Sequence, residues 1–223
     1  MNIARELRRV ADSVRAAGAQ AYMKSAMPFL GVAMTPLRKV CKEVFGAHPL
    51  DSAAAWRNEV LAMWRNARFR EERYAAIELT GFKAYRDYQT LDALPMYEEM
   101  IVTGAWWDYV DAIAIHRVGE FLLRDFPREM KRTMRRWSVD EDLWKRRTSI
   151  LSQVTFKGDT DLDLLYRCIE PSFASKEFFL RKAIGWALRS YAWTDPAEVQ
   201  RYVRRHEKEL SPLSKREALK NLL

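Results

Sequence analysis

The chain has 223 residues, of which 38 are lysine or arginine and 30 are aspartate or glutamate, so its formal net charge at pH 7 is +8. It contains 8 glycines and 8 prolines, too few for the many tight turns of an all-β protein. No apolar segment reaches the roughly 18 residues that a membrane span requires, and the first 20 residues lack the apolar core of a signal peptide. Two cysteines, Cys41 and Cys168, cannot form a disulfide framework or a zinc site, so we expect a cytoplasmic protein without a metal or other cofactor.

The positive charge lies mostly in the second part of the chain. Residues 1–123 carry 16 basic and 15 acidic side chains, whereas residues 124–223 carry 22 and 15. A basic half is typical of proteins that bind polyanions, with nucleic acid as the first candidate and a membrane surface as the second. A basic surface that is merely solvated explains the composition equally well.

Helix signals follow one another along the whole chain, and no segment alternates as a strand would. Five residues resemble helix N-caps, two of them followed by a proline in the first helical position. The candidate caps are Thr35 (before Pro36), Asp51, Ser175, Asp195 and Ser211 (before Pro212). The sequence therefore predicts an all-α fold, in a single domain over residues 1–223.

A small residue followed by an aliphatic one recurs five times within these helical segments. The pairs are Ala76-Ile77, Ala112-Ile113, Ser149-Ile150, Ala183-Ile184 and Ala218-Leu219, at spacings of 36, 37, 34 and 35 residues. That length holds one helix pair with short connections, and small residues in the same phase let neighbouring helices approach closely. Stacked helix pairs form an α-solenoid with a concave face. The alternative is chance recurrence among alanine-rich helices.

The repeat also defines a helical phase. When the small residue is placed at 0° and each residue turns the helix by about 100°, side chains near roughly 230° face away from the packed side. Two tryptophans, one aspartate and several basic residues share this face in consecutive repeats. They are Trp107 and Asp111, Arg147, Lys182, Trp186 and Arg189, and Arg216. A basic groove interleaved with aromatic residues is typical of a nucleic-acid-binding surface.

Each of these residues also has an ordinary structural interpretation. Trp107 and Trp186 would fill a core, and Asp111 would cap a helix or pair with an arginine on the next helix. Arg147 would belong to a solvated basic run with its two basic neighbours. The stretch 128–136, which contains five basic residues, predicts an exposed helix face or one that flanks a DNA backbone. The three histidines lie at no metal-ligand spacing.

Five segments go beyond these general patterns. The long ones are residues 103–111 (TGAWWDYVD), 143–151 (LWKRRTSIL) and 175–192 (SKEFFLRKAIGWALRSYA), and the short ones are 21–24 (AYMK) and 213–218 (LSKREA). Together they resemble the AlkD-like DNA alkylation repair family, from about residue 20 to the C-terminus. The resemblance implies a HEAT-like-repeat DNA glycosylase of the bacterial cytoplasm, which excises cationic N3- and N7-alkylated purines from double-stranded DNA. The absence of an exposed heptad seam favours a monomer.

The resemblance also implies roles for individual residues. Asp111 matches the family's catalytic carboxylate, and Arg147 matches the basic residue that completes the site. Trp107 and Trp186 match two tryptophans that contact the sugar of the lesion nucleotide.

Further residues are implied as DNA contacts. Tyr22 resembles an aromatic residue near the opposite strand, and Arg189 resembles a phosphate contact. Thr155 departs from the pattern, because some relatives have a basic residue there, and Lys157 is the candidate that replaces it. Lys182 and Arg216 are added as DNA contacts because they share the basic face.

One carboxylate is enough for the implied reaction. A purine alkylated at N3 or N7 already carries a positive charge, so it departs without the general acid that most glycosidases need. The carboxylate then stabilises the oxocarbenium-like sugar and orients water. No lysine is implicated as a nucleophile, so we expect no strand-cleaving step. Two other functional classes stay open. One is a catalytically silent HEAT-like binder of damaged or branched DNA. The other is a protein-binding scaffold, but a scaffold would leave the basic half of the chain unexplained.

Overall fold

The computed structural model of the protein describes residues 2–222, and within that range the chain is helical, without a β-strand. The predicted all-α fold class is confirmed. The chain divides into two compact units, one up to Met96 and one from Tyr97 onwards. The predicted single domain over residues 1–223 stays a prediction.

The first unit is a small helical bundle. Its helices are α1 (Ile3–Arg9), α2 (Ser13–Met23), α3 (Met34–Ala47), α4 (Ala53–Arg65) and α5 (Arg70–Thr80), followed by 3₁₀ turns at Lys83–Tyr88 and Leu91–Ala93. Helices α1, α3 and α5 pack against one another, and α4 packs on α5. The buried Glu71 accepts hydrogen bonds from the backbone N–H groups of Leu30, Gly31 and Val32, at 2.8, 2.8 and 3.1 Å. It thereby holds the connection between α2 and α3.

The second unit contains two sets of helices. In chain order they are α6 (Leu94–Gly104, which spans the boundary), α7 (Trp107–Ile113) with its π-helical continuation (Ala114–Leu123), α8 (Pro127–Ser138), α9 (Leu143–Leu151), α10 (Leu162–Ile169), α11 (Phe178–Ala192), α12 (Pro196–Arg205) and α13 (Pro212–Leu219). Helices α7, α9, α11 and α13 form a row in which each packs on the next. Helices α8 and α10 pack on α9, and α12 packs on α11 and α13. This is the stacking of helix pairs expected in an α-solenoid.

The five small-aliphatic pairs lie on α5, α7, α9, α11 and α13, so the predicted period corresponds to one helix pair. Ser149, Ala183 and Ala218 are buried where the helices of the row meet. The closest approach is at Gly185 on α11, where an added Cβ would lie 2.4 Å from the Cβ of Glu217 and 2.9 Å from the carbonyl oxygen of Ser214 on α13. Only glycine allows α11 and α13 to come this close.

Two of the five predicted caps are correct. The Asp195 carboxylate accepts from the backbone N–H of Glu198 at 2.9 Å, and the Ser211 hydroxyl accepts from that of Ser214 at 3.0 Å. The other three are wrong by one or two residues: the N-caps are Ala33 rather than Thr35, Ser52 rather than Asp51, and Glu177 rather than Ser175. Proline is accepted anywhere in the first turn, because the N–H groups there have no intrahelical partner. Pro36 therefore does not mark the first helical position.

Candidate functional site

A buried ion pair joins two neighbouring helices of the second unit. Asp111 on α7 is 9% exposed and Arg147 on α9 is 4% exposed. The arginine Nε donates to Oδ1 of Asp111 at 2.7 Å, and its Nη2 donates to Oδ2 at 2.8 Å. Two parallel charge-assisted hydrogen bonds of this kind fix both side chains and are stronger than hydrogen bonds between neutral groups. The repeat brings the pair together, because the two residues are 36 positions apart.

Arg147 also contacts the next helix of the row. Its Nη1 donates to the carbonyl oxygen of Phe179 at 2.5 Å, and its guanidinium lies 5.9 Å from the centre of the Phe179 ring. The N-cap Asp142 accepts from the N–H groups of Trp144 and Lys145 and so fixes the start of the helix that carries Arg147. Arg147 therefore links α7, α9 and the beginning of α11.

The expected exposure of this pair was wrong. The helical phase predicted that Asp111 and Arg147 would both face away from the packing, yet both are buried against each other. The phase gives the direction of each side chain on its own helix, but it could not show that the two side chains are close enough to pair. The alternative in which Asp111 pairs with an arginine on the next helix therefore describes the contact that the structure contains.

The environment of Asp111 acts on its pKa in both directions. Burial raises the pKa of this carboxyl group above its usual range, while the hydrogen bonds and charge of Arg147 act to lower it. The bidentate geometry is that of an ionised carboxylate. Each carboxylate oxygen accepts about two hydrogen bonds, and Arg147 takes one on each. In this geometry Asp111 is held as a carboxylate acceptor, and it retains acceptor capacity for a water molecule.

The Phe179 ring beside Arg147 belongs to an aromatic cluster. The ring centres of Trp106, Trp144 and Phe179 lie 5.2 to 6.4 Å apart, in tilted and edge-on arrangements. The Nε1 of Trp106 is buried and has no hydrogen-bond partner among residues 2–222. None of these three rings is among the site residues predicted from the sequence. The sequence could have indicated these rings, because each of them directly precedes or follows another aromatic or leucine residue in a segment that carries the family resemblance.

The two predicted site tryptophans are half-buried. Trp107 is the first residue of α7 and lies one helical turn before Asp111. Trp186 lies on α11, about two turns beyond Phe179, and packs partly on the core of the second unit. Each therefore combines a packing role with a partly accessible ring.

The basic residues of α11 are held by one acidic residue. Glu217 on α13 receives Lys182 Nζ at 2.9 Å on Oε1 and Arg189 Nη1 at 2.5 Å on Oε2. Hydrogen bonds from Lys182 and Arg189 hold the pKa of Glu217 below its usual range. Lys182 and Arg189 are predicted DNA contacts, and in the structure both pair with the carboxylate of Glu217. Glu217 is not among the site residues predicted from the sequence. Arg216, the neighbour of Glu217, is exposed.

The remaining predicted contacts lie on exposed segments. Lys157 is exposed in a 3₁₀ turn (Lys157–Asp159), with a backbone φ of 54°. The hydroxyl of the nearby Thr155 is buried without a hydrogen-bond partner in the described part of the chain. Tyr22 belongs to the first unit, on α2, and is 76% exposed.

Other kinds of site find no support in the described residues. No group of histidine, cysteine, aspartate and glutamate side chains in residues 2–222 is arranged to hold a metal ion. Cys41 and Cys168 are unpaired and buried, and burial raises the pKa of each thiol to about 12. Over the same range, none of the helices combines the length and the apolar character needed to cross a membrane.

Comparison with known proteins decides the family. From residue 3 to residue 222 the chain matches the model of a family described as DNA alkylation repair enzyme. The chain belongs to this DNA alkylation repair family. The resemblance inferred from the sequence is thereby confirmed, and membership places the chain in DNA alkylation repair, as an enzyme whose partner is DNA.

A solved structure supports the same assignment. It is described as a predicted DNA alkylation repair enzyme from Enterococcus faecalis and is 29% identical to this member of the family. The two structures superpose with a TM-score of 0.85, over 95% of this chain and 96% of that one. No curated protein matches the chain.

Proposed function

We propose that this member of the DNA alkylation repair family is a monofunctional DNA glycosylase. It hydrolyses the N-glycosidic bond of cationic N3- or N7-alkylated purines in duplex DNA, as a cytoplasmic monomer, with Asp111 as its one catalytic carboxylate. The observation that carries the proposal is the buried bidentate pair between Asp111 and Arg147, one helical turn from the half-buried Trp107. Such a pair fixes a carboxylate in position before the substrate arrives.

The chemistry of the leaving group matches this carboxylate. When the C1′–N9 bond breaks, its electron pair goes to the alkylated purine and neutralises the positive charge of that base. The base therefore needs no acid, and Asp111, ionised beside Arg147, supplies none. Positive charge develops instead on the sugar, where a fixed carboxylate stabilises it. A water molecule then adds its oxygen to C1′ and releases one proton to solvent.

Arg147 shapes how Asp111 acts. The guanidinium neutralises part of the carboxylate's field, and the field of an ion pair falls off faster with distance than that of a lone charge. Asp111 is therefore effective only on a sugar in direct contact with it. Trp107 and Trp186 would supply ring faces to the same cationic sugar, a cation–π attraction worth roughly 0.5–2 kcal/mol each.

A second candidate is a binder of damaged or branched DNA that has no excision activity. The contacts of Arg147 with α7 and α11 favour this candidate, because a buried pair that only holds helices together needs no catalytic role. The two candidates differ in whether a base is released.

The deciding experiment is chromatography of bases released from methylated duplex DNA. We expect the protein to release 3-methyladenine or 7-methylguanine, and Asp111→Asn to slow release by about 10²–10³-fold with duplex binding unchanged. Asp108→Asn is the matched control, because it makes the same change three residues earlier on α7 and should retain activity. Wild-type rates in Asp111→Asn would refute the mechanism. Duplex binding by the unaltered protein without any base release would favour the second candidate.

A further inference from the structure

The outward face of α8 carries a stripe of arginines. One side of this helix is buried against the second unit through Met130, Met134 and Trp137. Arg128, Arg132 and Arg136 are exposed. They are spaced four residues apart, so they follow one side of the helix at intervals of about 6 Å and span about 12 Å.

These three arginines differ from their basic neighbours in forming no close ion pair. Lys131 Nζ pairs with Asp161 at 2.7 Å, and Arg135 Nη2 pairs with Asp163 at 3.2 Å, both on the segment that begins α10. In the described part of the chain, the guanidinium groups of Arg128, Arg132 and Arg136 form neither a hydrogen bond nor an ion pair. Three positive charges with rigid, forked donors are thus free to meet an anion.

The acidic residues around the stripe leave it positive. Glu129 is the one acidic residue of α8 and is exposed beside it. Beyond the end of the helix, Asp140 is paired with Lys145 at 3.3 Å. On α10, Asp163 is shared between Arg135 and Arg167. The charge of Asp140 also acts on Arg136, and Asp125 and Glu141 are exposed just outside the two ends of α8. Within the helix itself, Glu129 is the one carboxylate beside the three guanidinium groups.

We propose that the face of α8 formed by Arg128, Arg132 and Arg136 binds the phosphate backbone of a second duplex DNA segment. Guanidinium groups bind phosphate oxygens in pairs of hydrogen bonds, and regularly spaced cations suit a regularly charged polymer. The proposal rests on DNA being the partner of the family, and it does not depend on the proposed glycosylase activity.

Other polyanions fit this face less well. A helix that lies on a membrane inserts its apolar side, but the apolar side of α8 is buried in the unit, and the exposed Val139 at its end is a single small side chain. Single-stranded nucleic acid is held by bases that stack on aromatic rings, and the stripe consists of arginines alone. A duplex backbone needs neither feature.

The stripe is separate from the candidate site. Asp111, Arg147 and the cations held by Glu217 lie on α7, α9 and α11, whereas the stripe lies on α8, which packs on α9 through its opposite side. A protein with two duplex-binding surfaces holds two DNA segments at once. Such a protein moves between segments during its search for rare lesions without returning to free solution.

The test is a bridging assay with the full chain. A duplex is fixed to beads, the protein is added, and retention of a second, fluorescent duplex is measured. We expect the triple variant Arg128→Gln, Arg132→Gln and Arg136→Gln to retain at least about ten times less of the second duplex. The matched control is Arg204→Gln, Arg205→Gln and Lys208→Gln, which removes the same charge from exposed residues at and just beyond the end of α12 and should bridge normally.

Three results would overturn the proposal: no bridging by the unaltered protein, full bridging by the α8 variant, or equal loss in the control, which would mean that net charge alone matters. Sedimentation with anionic vesicles that depends on the stripe, without bridging, would assign the face to lipid instead. Base release from methylated duplex, measured in parallel, separates this proposal from the glycosylase proposal. If bridging depends on the stripe while no base is released, the second surface stands and the glycosylase fails.

Discussion

The ion pair between Asp111 and Arg147 makes a strong prediction about stability. Both residues are less than 10% exposed, so removing one partner leaves the other charge buried without compensation. Breaking a buried pair in this way typically costs about 3–5 kcal/mol of the free energy of unfolding. For a chain of this size, that corresponds to a fall of roughly 6–20 °C in the melting temperature. We expect losses in this range for Asp111→Asn and for Arg147→Gln.

The double variant should be more stable than either single variant. When Asp111→Asn and Arg147→Gln are combined, two neutral groups that can hydrogen-bond replace the pair, and no buried charge remains. We therefore expect a coupling free energy of several kcal/mol, in the sense that the two losses do not add. The assay is urea-induced unfolding followed by circular dichroism, with the transitions of the two units fitted separately.

The two single variants should respond differently to pH. An unpaired arginine cannot lose its charge, whereas an unpaired Asp111 escapes by taking up a proton. Burial already raises the pKa of Asp111, and Arg147→Gln removes the group that opposes this. A raised pKa in the folded state favours folding at acid pH, and the contribution is lost as the pH rises through that pKa. Arg147→Gln should therefore recover stability relative to the unaltered protein as the pH falls, and Asp111→Asn should not.

A matched exposed pair provides the control. Arg135 and Asp163 are also joined across two helices, at 3.2 Å, but their side chains are 48% and 58% exposed. Solvent screens such a pair, so Arg135→Gln should cost at most about 1 kcal/mol. Losses below about 1 kcal/mol in both site variants, or strictly additive losses in the double variant, would show that the buried pair is not electrostatically isolated from water.

Two further predictions concern the packing of α13 on α11. Gly185→Ala should destabilise the protein by about 1–3 kcal/mol through overpacking, because its Cβ would lie 2.4 Å from that of Glu217. The control is Gly18→Ala on α2, whose Cβ would meet no atom within 4 Å and which should stabilise the protein by about 0.5–1 kcal/mol. Equal melting temperatures for the two variants would contradict the packing argument. Glu217 has a pKa lowered by Lys182 and Arg189, so its contribution to stability is present above its unfolded pKa and is lost as the pH falls through the lowered value. In urea titrations, the difference in the free energy of unfolding between the unaltered protein and Glu217→Gln should therefore be constant near neutral pH and vanish on acidification. A difference in this free energy that persists in acid would exclude these ion pairs as its cause.

The sequence contained enough information to predict the fold class and the repeat. Ser149, Ala183 and Ala218 recur because helices of the row meet at these residues, and close packing tolerates only small side chains there. A local pattern therefore reported a tertiary contact, since the same contact is made once in every repeat.

The partners of the charged residues could not be predicted in the same way. Helical phase gives the direction of a side chain on its own helix, but it does not give the distance to the next helix. Asp111, Lys182 and Glu217 each stand directly before the small residue of their repeat, so they occupy the same helical position. That equivalence would have added Glu217 to the candidate face. Whether a charge at this position pairs with an arginine on the next helix or meets solvent depends on side-chain reach, which only the structure supplies.

The buried pair also determines how activity and folding can be separated. Because Arg147 both fixes Asp111 and links α7 to α11, any single substitution at either residue changes the candidate site and the stability together. Loss of activity in Asp111→Asn, without the duplex-binding measurement beside it, would therefore not separate a catalytic role from a folding role. The double variant removes the ambiguity, because we expect it to regain most of its stability while lacking the ionised carboxylate. A well-folded double variant that binds duplex DNA and releases no alkylated base would assign the loss of activity to the Asp111–Arg147 pair rather than to a folding defect.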